Sequence, residues 1–62
     1  MESIFQSPNG NQLKLRLENG VCELIPLIGE IELSPAFKST AGFSYDLLAE
    51  ILVSKNYKQV SA

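Results

Sequence analysis

The stretch LKLRLENGVCELI, residues 13–25, consists of two runs of alternating apolar and polar residues joined by Asn19-Gly20. An Asn-Gly pair between such runs is the strongest short-range signal for a β-hairpin, because a type I′ turn needs a positive φ at both central positions. We therefore predict a strand over residues 12–18, a two-residue turn, and a second strand over residues 21–28. This hairpin decides the fold because it orients half of the chain.

A two-residue turn also predicts which residues face each other. One face of the hairpin becomes apolar, and on the other face Arg16 meets Glu23, a pair of opposite charges that cross-strand energetics favour. A shift of one residue would send the apolar side chains of one strand to the wrong face. The predicted pairs are Glu18 with Val21, Leu17 with Cys22, Arg16 with Glu23, Leu15 with Leu24, Lys14 with Ile25, and Leu13 with Pro26.

A further strand is predicted before the hairpin. Residues 3–6 are β-prone, and the following SPNG, residues 7–10, is typical of a type I turn with a glycine bulge. This turn would return the chain antiparallel to the next strand. It would thereby place Phe5 beside Leu13 on the buried face.

The segments after the hairpin are less regular. Pro26 predicts that the third strand is an edge or is bent there, because proline donates no ladder hydrogen bond. We expect a short fourth strand over residues 30–34 and a helical turn beginning at Ser34-Pro35. Residues 57–60 either trail off or add a final edge strand, and the apolar surface of Tyr57 and Val60 favours the strand.

One α-helix is predicted near the C-terminus. Ser44 can cap free backbone donors, and Asp46 lies in the first turn, where the helix dipole favours negative charge. Lys55 suits the last turn, and Asn56 can adopt the left-handed conformation just past the end. The predicted core-facing stripe consists of Leu47, Leu48, Ile51 and Leu52.

These elements predict an α+β fold for a single small domain spanning residues 1–62. It comprises a three- or four-stranded antiparallel β-meander followed by one C-terminal α-helix packed on the sheet. A chain of 62 residues buries only about 60% of its unfolded surface, and one cysteine without histidine supplies neither a disulfide nor a zinc site. We therefore expect association with another chain, most simply as a homodimer. The predicted sheet core is Phe5, Leu13, Leu15, Leu17, Cys22, Leu24, Ile31 and Leu33.

Charge and hydropathy argue against several classes of protein. The net charge is −2, and the five basic residues never form a run, whereas nucleic-acid binding favours a basic patch. No segment resembles a signal peptide or approaches the roughly 20 apolar residues of a membrane helix. The sequence is thus expected to belong to a cytoplasmic protein.

The candidate reactive residues predict no enzyme. Cys22 would point inward, and no histidine exists to serve as its base. Glu23, Glu30 and Glu32 can form an acidic patch, but they lack the oxygen-rich spacing of a calcium loop. We interpret this patch as a solvated face, or alternatively as a contact for a basic partner, and expect no catalytic, cofactor or metal site.

The helix has more apolar surface than one sheet can cover. Tyr45, Ala49 and Val53 widen the core stripe, which indicates contact on a second side. Either residues Phe37, Phe43 and Tyr57 cover this surface within the chain, or it forms a subunit interface. On the outer sheet face, Val21 and Ile25 lie near Ile4 and form a second candidate contact if they cluster with Leu27 or Ile28. The predicted partner interface is Tyr45, Ala49, Val53, Ile25 and Val21.

The sequence therefore favours a non-catalytic protein–protein interaction module or small regulatory protein. It would act as a homodimer or docked on a larger partner, through the helix flank or through a strand edge that extends a partner's sheet. The alternative is a dimeric nucleic-acid-associated regulator. In that case the dimer would gather Lys14, Arg16, Lys55 and Lys58 on one side.

Overall fold

The fold is one antiparallel β-sheet with an α-helix packed on one face, which confirms the predicted α+β class. The computed structural model describes residues 1–31 and 43–61. Among these residues the strands run in the order β3-β2-β1-β4. The elements are β1 (Glu2–Gln6), β2 (Gln12–Glu18), β3 (Val21–Ile28), α1 (Tyr45–Ser54) and β4 (Lys58–Ser61).

The hairpin between β2 and β3 has the predicted turn and register. Asn19 and Gly20 both have positive φ angles, of 53° and 76°, as a type I′ turn requires. Every predicted pair is present, from Glu18 opposite Val21 at the turn to Leu13 opposite Pro26. The local turn chemistry and the alternating pattern therefore specify the same register.

The hairpin between β1 and β2 also forms as predicted. The Gly10 N–H donates to the Ser7 carbonyl at 3.0 Å, and the Ser7 N–H donates to the Asn11 carbonyl at 2.8 Å. Gly10 has a φ of 87°, the left-handed conformation expected at a glycine bulge. This turn places Phe5 opposite Leu13.

Pro26 lies where the missing N–H costs no bond to β2. Hydrogen-bonded and non-hydrogen-bonded pairs alternate along an antiparallel ladder, and the pair of Glu18 and Val21 at the turn is hydrogen-bonded. The pair of Leu13 and Pro26 lies five positions further along, so it is a non-hydrogen-bonded pair. The Pro26 nitrogen consequently faces away from β2, towards the edge of the described sheet. The register shifts just beyond, between Leu13 and Gln12. β3 lies at an edge of the described sheet, which confirms the first of the two alternatives predicted from Pro26.

The core lies between α1 and the inner face of the sheet. Cys22 is buried there, as predicted, and Leu17, Leu24 and Ile31 pack against the core from its margin. Ser3 also points inward, opposite Leu15. The buried apolar residues are Phe5, Leu13, Leu15, Cys22, Leu48, Leu52 and Tyr57.

Both ends of α1 are capped by local hydrogen bonds. The Ser44 hydroxyl oxygen accepts from the Leu47 N–H at 3.1 Å. At the other end, Asn56 has a φ of 69°, and its N–H donates to the Val53 carbonyl. The Tyr57 N–H donates to the Leu52 carbonyl, which completes a Schellman motif. The motif directs the Tyr57 side chain back onto the core beside Leu52.

The predicted core stripe of α1 is wrong at Leu47, whose side chain is 42% exposed. Leu48 and Leu52 are buried, while Tyr45, Ala49 and Ile51 pack against the core. The helix is therefore rotated towards its Tyr45 side. Apolar residues around most of the helix left this rotation undetermined, and contacts of Tyr45 with the sheet decide it.

The remaining sequence predictions have different outcomes. The predicted final edge strand is confirmed: β4 pairs antiparallel with β1, although it begins one residue later than expected. Glu30 and Ile31 lie outside the strands. The rest of the strand predicted over residues 30–34, with Leu33, and the helical turn after it lie outside the described residues.

Replacing Leu15 by alanine tests the importance of the central strand. Leu15 is 0% exposed, so Leu15→Ala leaves a cavity, and we expect it to lower the free energy of unfolding by about 2–5 kcal/mol. Val21→Ala is the control, because Val21 is 56% exposed and its loss should stay below about 1 kcal/mol. Urea denaturation followed by circular dichroism measures both, and equal losses would contradict the described core.

Candidate interaction surface

The predicted interface residues lie on two separate surfaces. Tyr45, Ala49 and Val53 occupy one flank of α1, whereas Val21 and Ile25 share the outer face of the sheet with Lys14. The sheet lies between the two sets. The structure therefore does not combine them into one site.

An open groove runs along the flank of α1. It has a volume of about 390 Å³ and separates α1 from the inner face of β4. Gln59 lies opposite Phe5 in the register, so both side chains belong to the face that α1 covers. We call this surface the α1–β4 groove, lined by Phe5, Ala49, Glu50, Val53, Ser54 and Gln59.

The groove exists because one helix is narrower than the sheet. Neighbouring strands lie about 4.8 Å apart, so the axes of the four strands span roughly 14 Å, whereas a helix with its side chains is about 10 Å wide. Among the described elements, α1 makes its most extensive contact with β2. The inward residues of β1, Ser3 and Phe5, are buried, whereas Gln59 on β4 is exposed, so the sheet stays open beside the helix at β4.

A polar contact fixes α1 next to this groove. The buried Ser3 hydroxyl is hydrogen-bonded to the Tyr45 hydroxyl, and the Gln59 amide donates to the same Ser3 oxygen at 3.4 Å. Tyr45 therefore joins the helix to β1, and its ring is half-buried. Ala49 is also partly buried against the core, so Val53, at 60% exposure, is the most exposed of the three predicted helix residues.

The groove carries acidic charge. Glu50 is the one charged residue in its lining, and Asp46 lies one turn earlier on the same side of α1. Within the described part of the chain, the Glu50 carboxylate forms no ion pair. A cationic group brought into the groove would meet an unneutralised carboxylate.

The outer face of the sheet neutralises its own charges. Lys14 lies 3.8 Å from Glu2, and Arg16 lies 3.1 Å from Glu23 and 3.6 Å from Glu18. Such exposed pairs contribute at most about 1 kcal/mol each, but they leave no basic patch. The apolar residues of this face are interrupted too, because Lys14 lies between Ile4 and Ile25.

The residues weighed for catalysis or metal binding remain dispersed. Cys22 is buried opposite Leu17, Glu23 contacts Arg16, and Glu32 lies outside the described residues. Residues 1–31 and 43–61 contain no group of three or more His, Cys, Asp or Glu side chains placed to hold a metal ion. In the same residues, no helix has the length and apolar character needed to cross a membrane.

Comparison with known proteins assigns no relative. No protein family, curated protein or solved structure matches this chain. The surface geometry is consequently the sole basis for a functional proposal.

The predicted interface contained Ala49 and Val53 of the groove. It lacked the other lining residues, Phe5, Glu50, Ser54 and Gln59, and the neighbouring Ser3. The inward position of Ser3 follows from two-residue alternation with Phe5, so this signal was present in the sequence. Gln59 carried no such signal. Its position depends on the pairing of β4 with β1, which joins segments more than fifty residues apart.

The two tyrosines give a matched test of the polar contact. Tyr45→Phe removes a hydroxyl bonded to Ser3, and we expect a loss of about 1 kcal/mol in the free energy of unfolding. Tyr57→Phe removes a buried hydroxyl that has no hydrogen-bond partner among the described residues, so stability should stay equal or rise. Thermal denaturation of both variants distinguishes them, and the reverse order of stability would refute the described network.

Proposed function

We propose that this chain is a non-catalytic protein–protein interaction module or small regulatory protein of the cytoplasm. It acts as a homodimer or docked on a larger partner, and the α1–β4 groove is its contact surface. The observation that carries the proposal is the exposure of Val53, at 60%, beside the partly buried Ala49 in the lining of the groove. Covering such surface is favourable because it removes apolar area from water.

The edges of the sheet are poorly suited to pairing with a strand of a partner, which favours the groove as the contact surface. Pro26 removes a donor from the edge of β3. β4 has four residues, begins with Lys58, and pairs with β1 through a register shift between Ile4 and Phe5. Short strands, proline, lysine and register shifts are features that prevent edge-to-edge pairing. The helix flank is therefore favoured over a strand edge.

The nucleic-acid alternative has one supporting observation. Lys14 and Arg16 share the outer face with Lys58, because Lys58 pairs with Gln6 and Gln6 with Gln12. Carboxylates lie between these bases, however, and two of the bases form ion pairs. This alternative is less well supported, since phosphate contacts require basic groups that are not already neutralised.

Sedimentation equilibrium at micromolar concentration tests the homodimeric form. If two copies meet through the groove, the wild type sediments as a dimer and Val53→Lys as a monomer, because the introduced charge has to be buried. Val21→Lys adds the same charge on the outer face and should remain dimeric.

The other outcomes of this measurement also have defined meanings. A monomeric wild type excludes the homodimer and leaves the docked form, which the peptide titration described below tests. A dimer that persists in Val53→Lys places the contact elsewhere and contradicts the proposed surface.

A further inference from the structure

We infer that the α1–β4 groove binds an amphipathic helix of a partner protein, with apolar side chains towards Val53 and lysine or arginine beside Glu50. This inference rests on the proposed function and specifies the occupant of the groove. Three features lead to it. The space beside α1 suits a helix, the carboxylates of the groove favour a basic one, and a second copy of the chain would bring like charges.

The spacing of the strands leaves room for a second helix beside α1. β4 is two strands away from β2, over which α1 packs, so the two strands are about 10 Å apart. Packed helices lie about 8–10 Å from each other. A second helix beside α1 would therefore lie above β4, where the exposed Gln59 lines the groove.

An extended peptide fits this position less well than a helix. A strand would need backbone hydrogen bonds from the sheet, and on the inner face it would find side chains instead. A helix satisfies its backbone hydrogen bonds internally and needs only apolar and charged side-chain contacts. Those are the contacts that Ala49, Val53 and Glu50 supply.

The charge of the groove selects a basic helix. Glu50 and Asp46 lie on the groove side of α1, and neither forms an ion pair within the described residues. α1 itself contains no lysine or arginine, and Lys55 is the residue that caps its C-terminal end. A lysine or arginine of the partner would thus meet an unpaired carboxylate, and the opposite charges would favour both encounter and orientation.

The same charges disfavour a second copy of this chain as the occupant. Among residues 1–31 and 43–61, the helix that a second copy offers is α1, and it would bring its own Asp46 and Glu50 towards the same carboxylates. Like charges placed opposite each other oppose association. The occupant is therefore a helix from a different protein.

The test is a titration of the isotope-labelled full chain with two synthetic peptides, followed by amide chemical shifts. Both peptides are amphipathic helices of about four turns with leucine on one face, and they carry either lysine or glutamate on the other. We expect the lysine peptide to shift the amides of Ala49, Val53 and Gln59 in a saturable manner. The glutamate peptide should bind at least about tenfold more weakly.

Matched variants separate specific contact from general attraction to an acidic chain. Glu50→Gln and Glu30→Gln each remove one negative charge, and Glu30 is exposed away from the groove. Glu50→Gln should weaken binding of the lysine peptide several-fold, and Glu30→Gln by less than about twofold. Val53→Lys should weaken it about tenfold, whereas Val21→Lys, which adds the same charge, should change it by less than about twofold.

Each remaining outcome overturns a defined part of the argument. Equal affinity for the two peptides at the groove overturns the basic partner and leaves the groove as a contact surface. A dimer abolished by Val53→Lys overturns the heterologous partner and supports the homodimeric form of the proposed function. If neither peptide shifts the groove amides and the wild type is monomeric, both the inference and the proposed function are wrong.

Discussion

The type I′ turn at Asn19-Gly20 is the constraint on which the rest of this structure depends. Two adjacent residues with positive φ allow a reversal without an extra residue, and the reversal sets the pairing of β2 with β3. That pairing places the leucines of β2 on the same face as Cys22. Because side chains alternate along a strand, a register shifted by one residue would put the charged residues of one strand against the helix.

A second local motif determines where the chain goes after the helix. The Schellman motif at the end of α1 reverses the chain at Asn56 and returns Tyr57 to the core beside Leu52. The next residues form β4, which pairs with β1 and not with β3, the preceding strand in the described sequence. The sheet therefore extends past the helix on the side of β1, and this extension creates the α1–β4 groove.

The two faces of the sheet differ in how their charges are arranged. On the outer face, Lys14 and Arg16 alternate with carboxylates and form ion pairs, so this face has little net field. On the helix layer, Glu50 lines the groove and Asp46 lies one turn earlier, and neither forms an ion pair within the described residues. The net charge of −2 is thus unevenly distributed, and the unneutralised carboxylates border the exposed apolar surface.

The sequence by itself determined both hairpins, the register of β2 with β3 and both caps of α1, because these depend on turn chemistry and on side chains only a few residues apart. Only the tertiary structure decided the rotation of α1, which left Leu47 exposed and turned Tyr45 towards Ser3. It also decided the position of Gln59 in the groove. The physical reason is that these features arise from contacts between residues more than forty positions apart, which no local pattern encodes.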